Sequence, residues 1–124
     1  MLSDQDLAAF VREHVRSVWA LEQLLLLKRD PERCWTPAEV VKELRASMGL
    51  VVANLQSFER SGIGVRDDQG CYRYSPAAPI LAGLCDRLET AYKERPVAIV
   101  NLIAAPRDPL QSLADAFKFR GDGK

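Results

Sequence analysis

The stretch from residue 36 to residue 74 constrains the fold of this chain more than any other. It begins with the run Thr-Pro-Ala-Glu at positions 36–39, which is the pattern of a helix start. The Thr36 hydroxyl and the Glu39 carboxylate can each accept a hydrogen bond from a backbone amide, and proline is favoured at the first helical position. We therefore predict a helix beginning at Pro37. Its buried face carries three apolar residues at helical spacing: Val40, Val41 and Leu44.

A second helix is predicted directly after this one. The run Ser-Met-Gly at positions 47–49 interrupts the first pattern, and apolar residues at helical spacing then resume. The helix ends at Ser61 and Gly62, because glycine can close a helix in the left-handed conformation without steric cost. The inner face of this second helix is formed by Leu50, Val51, Leu55 and Phe58.

A β-hairpin is predicted to follow. Residues 63–66 and 71–74 are rich in β-branched and aromatic side chains, and the polar run Asp-Asp-Gln-Gly at 67–70 separates them. Two short runs of this kind around a glycine-ended turn predict paired strands. Asp67 and Asp68 superficially resemble a metal-binding dyad, but hydrogen bonding within a turn explains both residues. We predict no metal site here.

The order of two short helices and a hairpin resembles the winged helix-turn-helix regulators of the MarR, ArsR or PadR kind. The resemblance covers about residues 17–75. It implies a winged helix-turn-helix core in which the helix beginning near residue 48 reads DNA and the hairpin is the wing. The residues that carry the resemblance are Val51, Leu55, Phe58, Gly62, Ile63 and Val65.

Two further helices are predicted before residue 36. The motif Ser3-x-x-Asp6 can cap a helix that continues to about His14, although an arm that orders only against a partner is an alternative. Ser17 then precedes a run, residues 18–27, whose apolar side chains go nearly all the way round a helix. Such a helix is buried on all sides, so we predict that it is the central helix of the core and ends near residues 28–31.

The C-terminal half is predicted to be helical. Residues 75–79 break the second strand and start a long amphipathic helix, whose apolar side includes Ile80, Leu84 and Leu88. The run 97–105 is ambiguous, because its β-branched residues favour a strand while its length and Pro96 favour a helix. We choose a helix, since no second set of strands is available to pair with it. A last helix is predicted at 110–119.

These elements predict one domain, residues 1–124, of a mainly α class with a small two-stranded β-hairpin. The winged helix-turn-helix core spans residues 17–75, and additional C-terminal helices span residues 77–119. The C-terminal helices carry more apolar surface than a small winged domain requires. They can pack back on the core, form a symmetric dimer interface, or do both. We favour a homodimer held through the N- and C-terminal helices.

Charge and composition further limit what this chain is expected to bind and where it is expected to be located. The chain has 17 basic and 17 acidic residues, so its formal net charge is zero. A dedicated DNA-binding protein usually carries a basic face, and the neutral balance lowers the expectation of nucleic-acid binding without excluding it. The N-terminus carries Asp4 and Asp6 and no long apolar run, and the Leu run at 24–27 is too short to span a bilayer. We predict a cytoplasmic protein with no membrane contact.

The three cysteines are predicted to be reduced thiols. Cys34, Cys71 and Cys85 are odd in number and form no CxxC motif, which is typical of a cytoplasmic protein. Cys71 in a strand and Cys85 on an apolar helix face are interpreted as small core residues. Cys34 is interpreted as more exposed, with a redox-sensing role as a minor alternative.

No catalytic role is predicted. His14 is the single histidine and has no serine or cysteine partner near it in sequence, and the chain has no glycine-rich phosphate loop. We therefore predict no enzyme activity, no catalytic residue and no cofactor. A small-molecule pocket between the core and the terminal helices fits this class of fold, but no residue in the sequence identifies one.

The resemblance implies a DNA-binding face on the second short helix and the hairpin. Gln56 and Arg60 can reach hydrogen-bonding atoms of bases, whereas Val52 and Ala53 can contact thymine methyl groups or dock a protein. Arginines of the hairpin can meet phosphate, although the acidic residues at its tip would repel it. Asn54 is interpreted as a hydrogen-bonded structural residue. The candidate DNA-contacting residues are Arg45, Ser47, Val52, Ala53, Gln56, Arg60, Arg66 and Arg73.

Two functional hypotheses follow. The first, implied mostly by the resemblance, is a small dimeric transcriptional regulator that binds duplex DNA through residues 47–60 and the hairpin. The second is a winged-helix protein-protein interaction module without DNA binding, which the neutral charge and the apolar character of residues 48–53 favour.

Overall fold

The structure, a computed structural model, describes residues 3–105 of the chain. Six helices and two strands follow one another within this range. The predicted helix at 110–119 lies outside the described residues. The elements are α1 (Asp4–His14), α2 (Val18–Arg29), α3 (Pro37–Leu44), α4 (Met48–Arg60), β1 (Gly64–Arg66), β2 (Tyr72–Tyr74), α5 (Pro79–Glu94) and α6 (Pro96–Ala104).

The predicted fold class, mainly α with a small antiparallel hairpin, is confirmed. Strands β1 and β2 pair so that Gly64 is opposite Tyr74 and Arg66 is opposite Tyr72. Trp35, in the segment before α3, adds an isolated bridge to the free edge of β2. Its amide donates to the Tyr72 carbonyl and the Tyr72 amide donates back to the Trp35 carbonyl, each at 2.7 Å. The hairpin is thereby attached to the chain segment that precedes α3.

The predicted helix starts are confirmed by their capping hydrogen bonds. The Ser3 hydroxyl accepts from the Asp6 amide while the Asp6 carboxylate accepts from the Ser3 amide, and Thr36 and Glu39 form the same reciprocal pair. Ser17 caps α2 by accepting from the amide of Ala20. Each cap satisfies backbone donors that the helix itself leaves unpaired.

Helix α2 is the centre of the core. It contacts α3, α4 and β2, and seven of its twelve residues are buried. The prediction of burial on all sides is wrong for its first turn, where Val18 is exposed and 46% of Trp19 is accessible to solvent. The neighbouring elements cover α2 from Ala20 onward only, so these two apolar side chains extend beyond the packed region.

Helices α5 and α6 pack against α1. Helix α5 buries Leu84, Cys85 and Leu88, whereas Ile80, predicted to face inward, is 58% exposed because it lies in the first turn of the helix. The ambiguous run after Pro96 is a helix, as predicted. Within the described range, no helix has both the length and the apolar content required to cross a membrane.

The cysteine prediction is wrong for two of the three residues. Cys34 and Cys71 form a disulfide between the segment before α3 and the start of β2. The two cysteines are 37 positions apart in the chain. Because only the folded hairpin and the Trp35 bridge bring them together, nothing in the sequence indicated that they would pair. Cys71 is therefore not a small core residue. Cys85 is a free, buried thiol, in agreement with the prediction.

The capping carboxylate of Glu39 predicts a dependence of stability on pH. The hydrogen bond from the Thr36 amide is the main reason that the pKa of Glu39 lies below its usual value of 4.5. Because this pKa is lower in the folded state, the stabilisation is present above about pH 4.5 and is lost as the pH falls through the lowered value. We expect Glu39→Gln to flatten the fall of unfolding free energy in acid, measured by urea titrations across that range.

Glu43→Gln is the matched control for this measurement. Glu43 is exposed on the same helix and takes no part in the capping box. If both substitutions change the pH dependence of stability equally, the capping box does not link protonation of Glu39 to folding.

Candidate functional site

Helix α4 and the connection before it present the candidate residues. Arg45 ends α3 in the left-handed conformation, with φ of 56°, and Ser47 caps α4 by accepting from the Leu50 amide at 3.3 Å. Three residues, 45–47, therefore join the two helices. This short connection places Arg45 and Ser47 at the N-terminal end of α4, and both side chains are exposed.

A buried amide fixes the orientation of α4 on α2. The Gln23 side chain, 1% exposed, donates from Nε2 to the Val51 carbonyl at 2.9 Å and accepts from Asn54 Nδ2 at 3.2 Å. The interpretation of Asn54 as a structural residue is thereby confirmed. Gln23 is a polar residue within an otherwise largely apolar helix, and nothing local in the sequence indicates its partners.

The buried and outer faces of α4 are cleanly separated. Val51, Leu55 and Phe58 are buried against the core. On the opposite side lies a stripe that we call the α4 outer face: Gly49, Ala53, Gln56 and Arg60. Side chains at these positions share one face of a helix. Only Gln56 and Arg60 on this face offer hydrogen-bonding side chains.

Apolar residues border the α4 outer face. Met48, in the first turn, is 47% exposed, and Val52 is half-buried along one side. On the hairpin, Val65 is also exposed. The surface formed by α4 and the hairpin therefore combines polar and apolar groups.

The hairpin directs its two arginines to opposite faces. Side chains of directly paired residues point to the same side of a sheet, and neighbours along a strand alternate. Arg73 pairs with Val65 and so shares its exposed face, whereas Arg66 pairs with Tyr72, whose side chain is buried. Arg66 therefore lies on the face that is turned toward the core, at the end of β1 where it reaches solvent.

The eight candidate residues are distributed over the connection between α3 and α4, the helix α4 and the two strands of the hairpin. Val52 and Arg73 are half-buried and the other six are exposed. None of the four candidate arginines forms a salt bridge with any other residue in the range 3–105, whereas Lys28, Arg33 and Arg87 each do. These four are Arg45, Arg60, Arg66 and Arg73, and within the same range Arg12, Arg16, Arg29 and Arg95 also form no salt bridge.

Acidic groups lie next to the candidate residues at two places. A groove of about 370 Å³ separates the end of α4 from the hairpin, with Glu59 on one side and Arg66 on the other. At the tip, Asp67 is engaged by its own turn, because its Oδ1 accepts from the amides of Gln69 at 2.9 Å and Cys71 at 3.0 Å. Asp68 is exposed.

A serine and the single histidine are brought together between α1 and α4. Ser61 Oγ lies 3.0 Å from His14 Nδ1 and donates its proton to the Ser57 carbonyl at 2.8 Å. Because the hydroxyl proton is committed to that carbonyl, His14 is the donor to Ser61 Oγ in this arrangement. The pair therefore connects α1 to the end of α4. The sequence did not indicate this contact, since 47 positions separate the residues.

Three potential metal ligands meet at the hairpin. Sγ of Cys34, Sγ of Cys71 and a carboxylate oxygen of Asp67 lie within 4.8 Å of one another. Metal binding by cysteine requires the thiolate form. With the two sulfurs joined in a disulfide, the carboxylate alone is available, and this arrangement does not form a metal site.

A cavity of about 520 Å³ opens between α1, α5 and α6. Leu7, Ile99 and Leu102 form its apolar wall, and the ion pair between Asp4 and Arg87 lies at its edge. A ligand site is usually defined by a few polar groups that converge on an apolar pocket. Here two of the polar groups, Asp4 and Arg87, are paired with each other, and Asp86 is paired with Lys28.

Comparison with known proteins gave no relatives: no family model, no curated protein and no solved structure matches the chain.

The Gln23 hydrogen bonds generate a stability prediction. We expect Gln23→Ala to lower the free energy of unfolding by about 2 kcal/mol, because it removes a buried side chain and leaves the Asn54 amide without its acceptor. Gln5→Ala, on the exposed side of α1, is the matched control and should change stability by less than about 0.5 kcal/mol. Equal effects in chemical denaturation would contradict the assigned role of Gln23.

Proposed function

We propose that the chain is a winged helix-turn-helix transcriptional regulator that binds duplex DNA. In this proposal α3, residues 45–47 and α4 are the helix-turn-helix, and the β1–β2 hairpin is the wing. The observation that carries the proposal is a set of four arginines, on α4, before it and on the hairpin, that form no salt bridge within residues 3–105: Arg45, Arg60, Arg66 and Arg73.

The arrangement suits backbone contacts more than extensive base reading. Arginine side chains neutralise phosphates and set the position of a protein on the duplex, whereas base edges specify the sequence. On the α4 outer face, Gln56 can pair with adenine and Arg60 with guanine. The small side chains of Gly49 and Ala53 let the helix approach the floor of a groove closely. We therefore propose modest sequence discrimination for one chain.

The zero net charge is compatible with this role because charges are unevenly distributed. Lys28 binds Asp86 at 2.9 Å and Glu89 at 2.6 Å, both on α5, and Asp4 binds Arg87. These acidic side chains are thus neutralised on α1 and α5. The four candidate arginines form no salt bridge among the described residues, so we propose that they remain available to an approaching phosphate backbone.

A second candidate function is a protein-interaction module. It is favoured by the exposed apolar side chains of Met48 at the start of α4 and Val65 on the hairpin. Apolar groups that border a polar stripe are typical of protein-docking surfaces as well. The two functions use the same surface, so substitutions on that surface can separate them.

Charge reversal tests the DNA-binding proposal. We expect Arg60→Glu and Arg66→Glu each to weaken binding of mixed duplex fragments by about tenfold or more at low salt, because each removes one phosphate or base contact and adds a repulsive charge. Arg95→Glu, at the junction of α5 and α6, is the matched control and should bind like the unaltered protein. Fluorescence anisotropy measures all three. Equal weakening by Arg95→Glu would indicate a nonspecific effect of net charge.

Arg73→Glu identifies which face of the hairpin meets DNA. Arg66 and Arg73 point to opposite faces, so a single docking orientation should depend strongly on one of them and weakly on the other.

Val52→Lys distinguishes DNA binding from protein binding. It adds a cation to the DNA-binding face and should preserve DNA binding. If the unaltered protein does not bind DNA, and Val52→Lys abolishes its binding to a protein partner, the interaction module is the correct function.

We also propose that the regulator acts as a homodimer. The support lies on α6, where Val97 is 71% exposed and Val100 is exposed beside it. We expect Val97→Lys to shift a dimer toward monomer in sedimentation equilibrium, because a charge in an apolar contact is costly. Ile80→Lys, at another exposed apolar position on α5, is the control. A chain that is monomeric before substitution would overturn this part of the proposal.

A further inference from the structure

The three cysteines differ sharply in accessibility. Cys85 is fully buried, and this burial raises the pKa of its thiol to about 11. Cys34 and Cys71 are only partly buried, so these residues are more accessible to small molecules in solvent than Cys85 is. Reactivity of a cysteine depends on access and on the thiolate fraction, and the structure therefore concentrates thiol chemistry at the Cys34–Cys71 pair.

A carboxylate is held against one of these sulfurs. Asp67 is fixed by two backbone amides through Oδ1, and its Oδ2 lies 2.9 Å from Cys71 Sγ. In the disulfide there is no sulfur-bound proton for this oxygen to accept. In the reduced pair the Cys71 thiol can donate its proton to Oδ2, which is a hydrogen bond to a charged acceptor. The position of Asp67 thus favours the dithiol over the disulfide.

The disulfide also joins the hairpin, which belongs to the proposed DNA-binding surface, to the segment before α3. It closes a loop that contains α3, α4 and β1, and it lies next to the paired amides of Trp35 and Tyr72. Reduction removes the covalent link while these two backbone hydrogen bonds remain. The expected consequence is a looser attachment of the hairpin, with the helices still folded around α2.

We propose that Cys34 and Cys71 form a reversible thiol–disulfide exchange site for low-molecular-weight thiols and disulfides, and that its redox state sets how firmly the hairpin is attached. A thiolate of the small thiol attacks one sulfur, a mixed disulfide forms, and the other cysteine leaves as a thiolate that takes up a proton. A second thiol releases the first cysteine. The net reaction converts the protein disulfide and two thiols into the protein dithiol and one small disulfide.

Equilibration in glutathione buffers, from mainly oxidised to mainly reduced, tests the exchange site. The oxidised fraction is measured by alkylation and mass spectrometry. We expect the pair to convert within this series, and Asp67→Asn to raise the equilibrium constant for disulfide formation about fivefold, because it removes the charged acceptor of the dithiol. Asp68→Asn, in the same turn but without a contact to sulfur in the described residues, should leave the constant unchanged.

Hydrogen exchange tests the structural consequence on the full chain. We expect reduction, or the double variant Cys34→Ser with Cys71→Ser, to speed exchange of the Trp35 and Tyr72 amides about tenfold or more while amides in the middle of α5 keep their rates. A pair that stays oxidised in fully reduced glutathione, equal shifts for the two Asp variants, or unchanged exchange of the hairpin amides would each overturn the proposal. None of these readouts involves DNA, so a failure here is distinguishable from a failure of the proposed function.

Discussion

The burial of α2 is the constraint on which the other elements depend. Its apolar side chains are covered by α3, α4 and β2. Polar side chains extend the attachment to α5, since Glu22 accepts a hydrogen bond from the Tyr92 hydroxyl at 2.9 Å and Lys28 binds two carboxylates there. An apolar helix of this kind cannot remain in water without partners. Its burial therefore determines where α4 and the hairpin lie.

The proposed site follows from that arrangement. Once Val51, Leu55 and Phe58 pack inward and Gln23 fixes the rotation of α4, the opposite side of the helix must face solvent. The hairpin is attached twice to the segment before α3, by the Trp35 bridge and by the disulfide. One attachment is a backbone contact and the other is a disulfide, and under our redox proposal the geometry of the surface responds to reduction while the core stays unchanged.

The sequence predicted what depends on local patterns. The capping boxes at Ser3 and Thr36, and the hairpin around 67–70, follow from residues three or four positions apart. The sequence did not predict the Cys34–Cys71 disulfide or the partners of Gln23, because these contacts join residues far apart in the chain. The exposure of Trp19 was also missed, since periodicity shows which face of a helix is apolar but not where its neighbours end. For the candidate site, the residues that the sequence suggested stay a prediction, and only the hairpin register showed that Arg66 and Arg73 point apart.

The most direct test of the proposed function is the salt dependence of binding between the unaltered protein and mixed duplex DNA, followed by anisotropy. Each neutralised phosphate contributes about −0.9 to the slope of log affinity against log salt. Arg45, Arg60 and one of the two hairpin arginines therefore predict a slope of about −3 for each protomer bound. Absence of binding even at low salt, where phosphate contacts are strongest, would contradict the proposal and direct attention to a protein partner for the same surface.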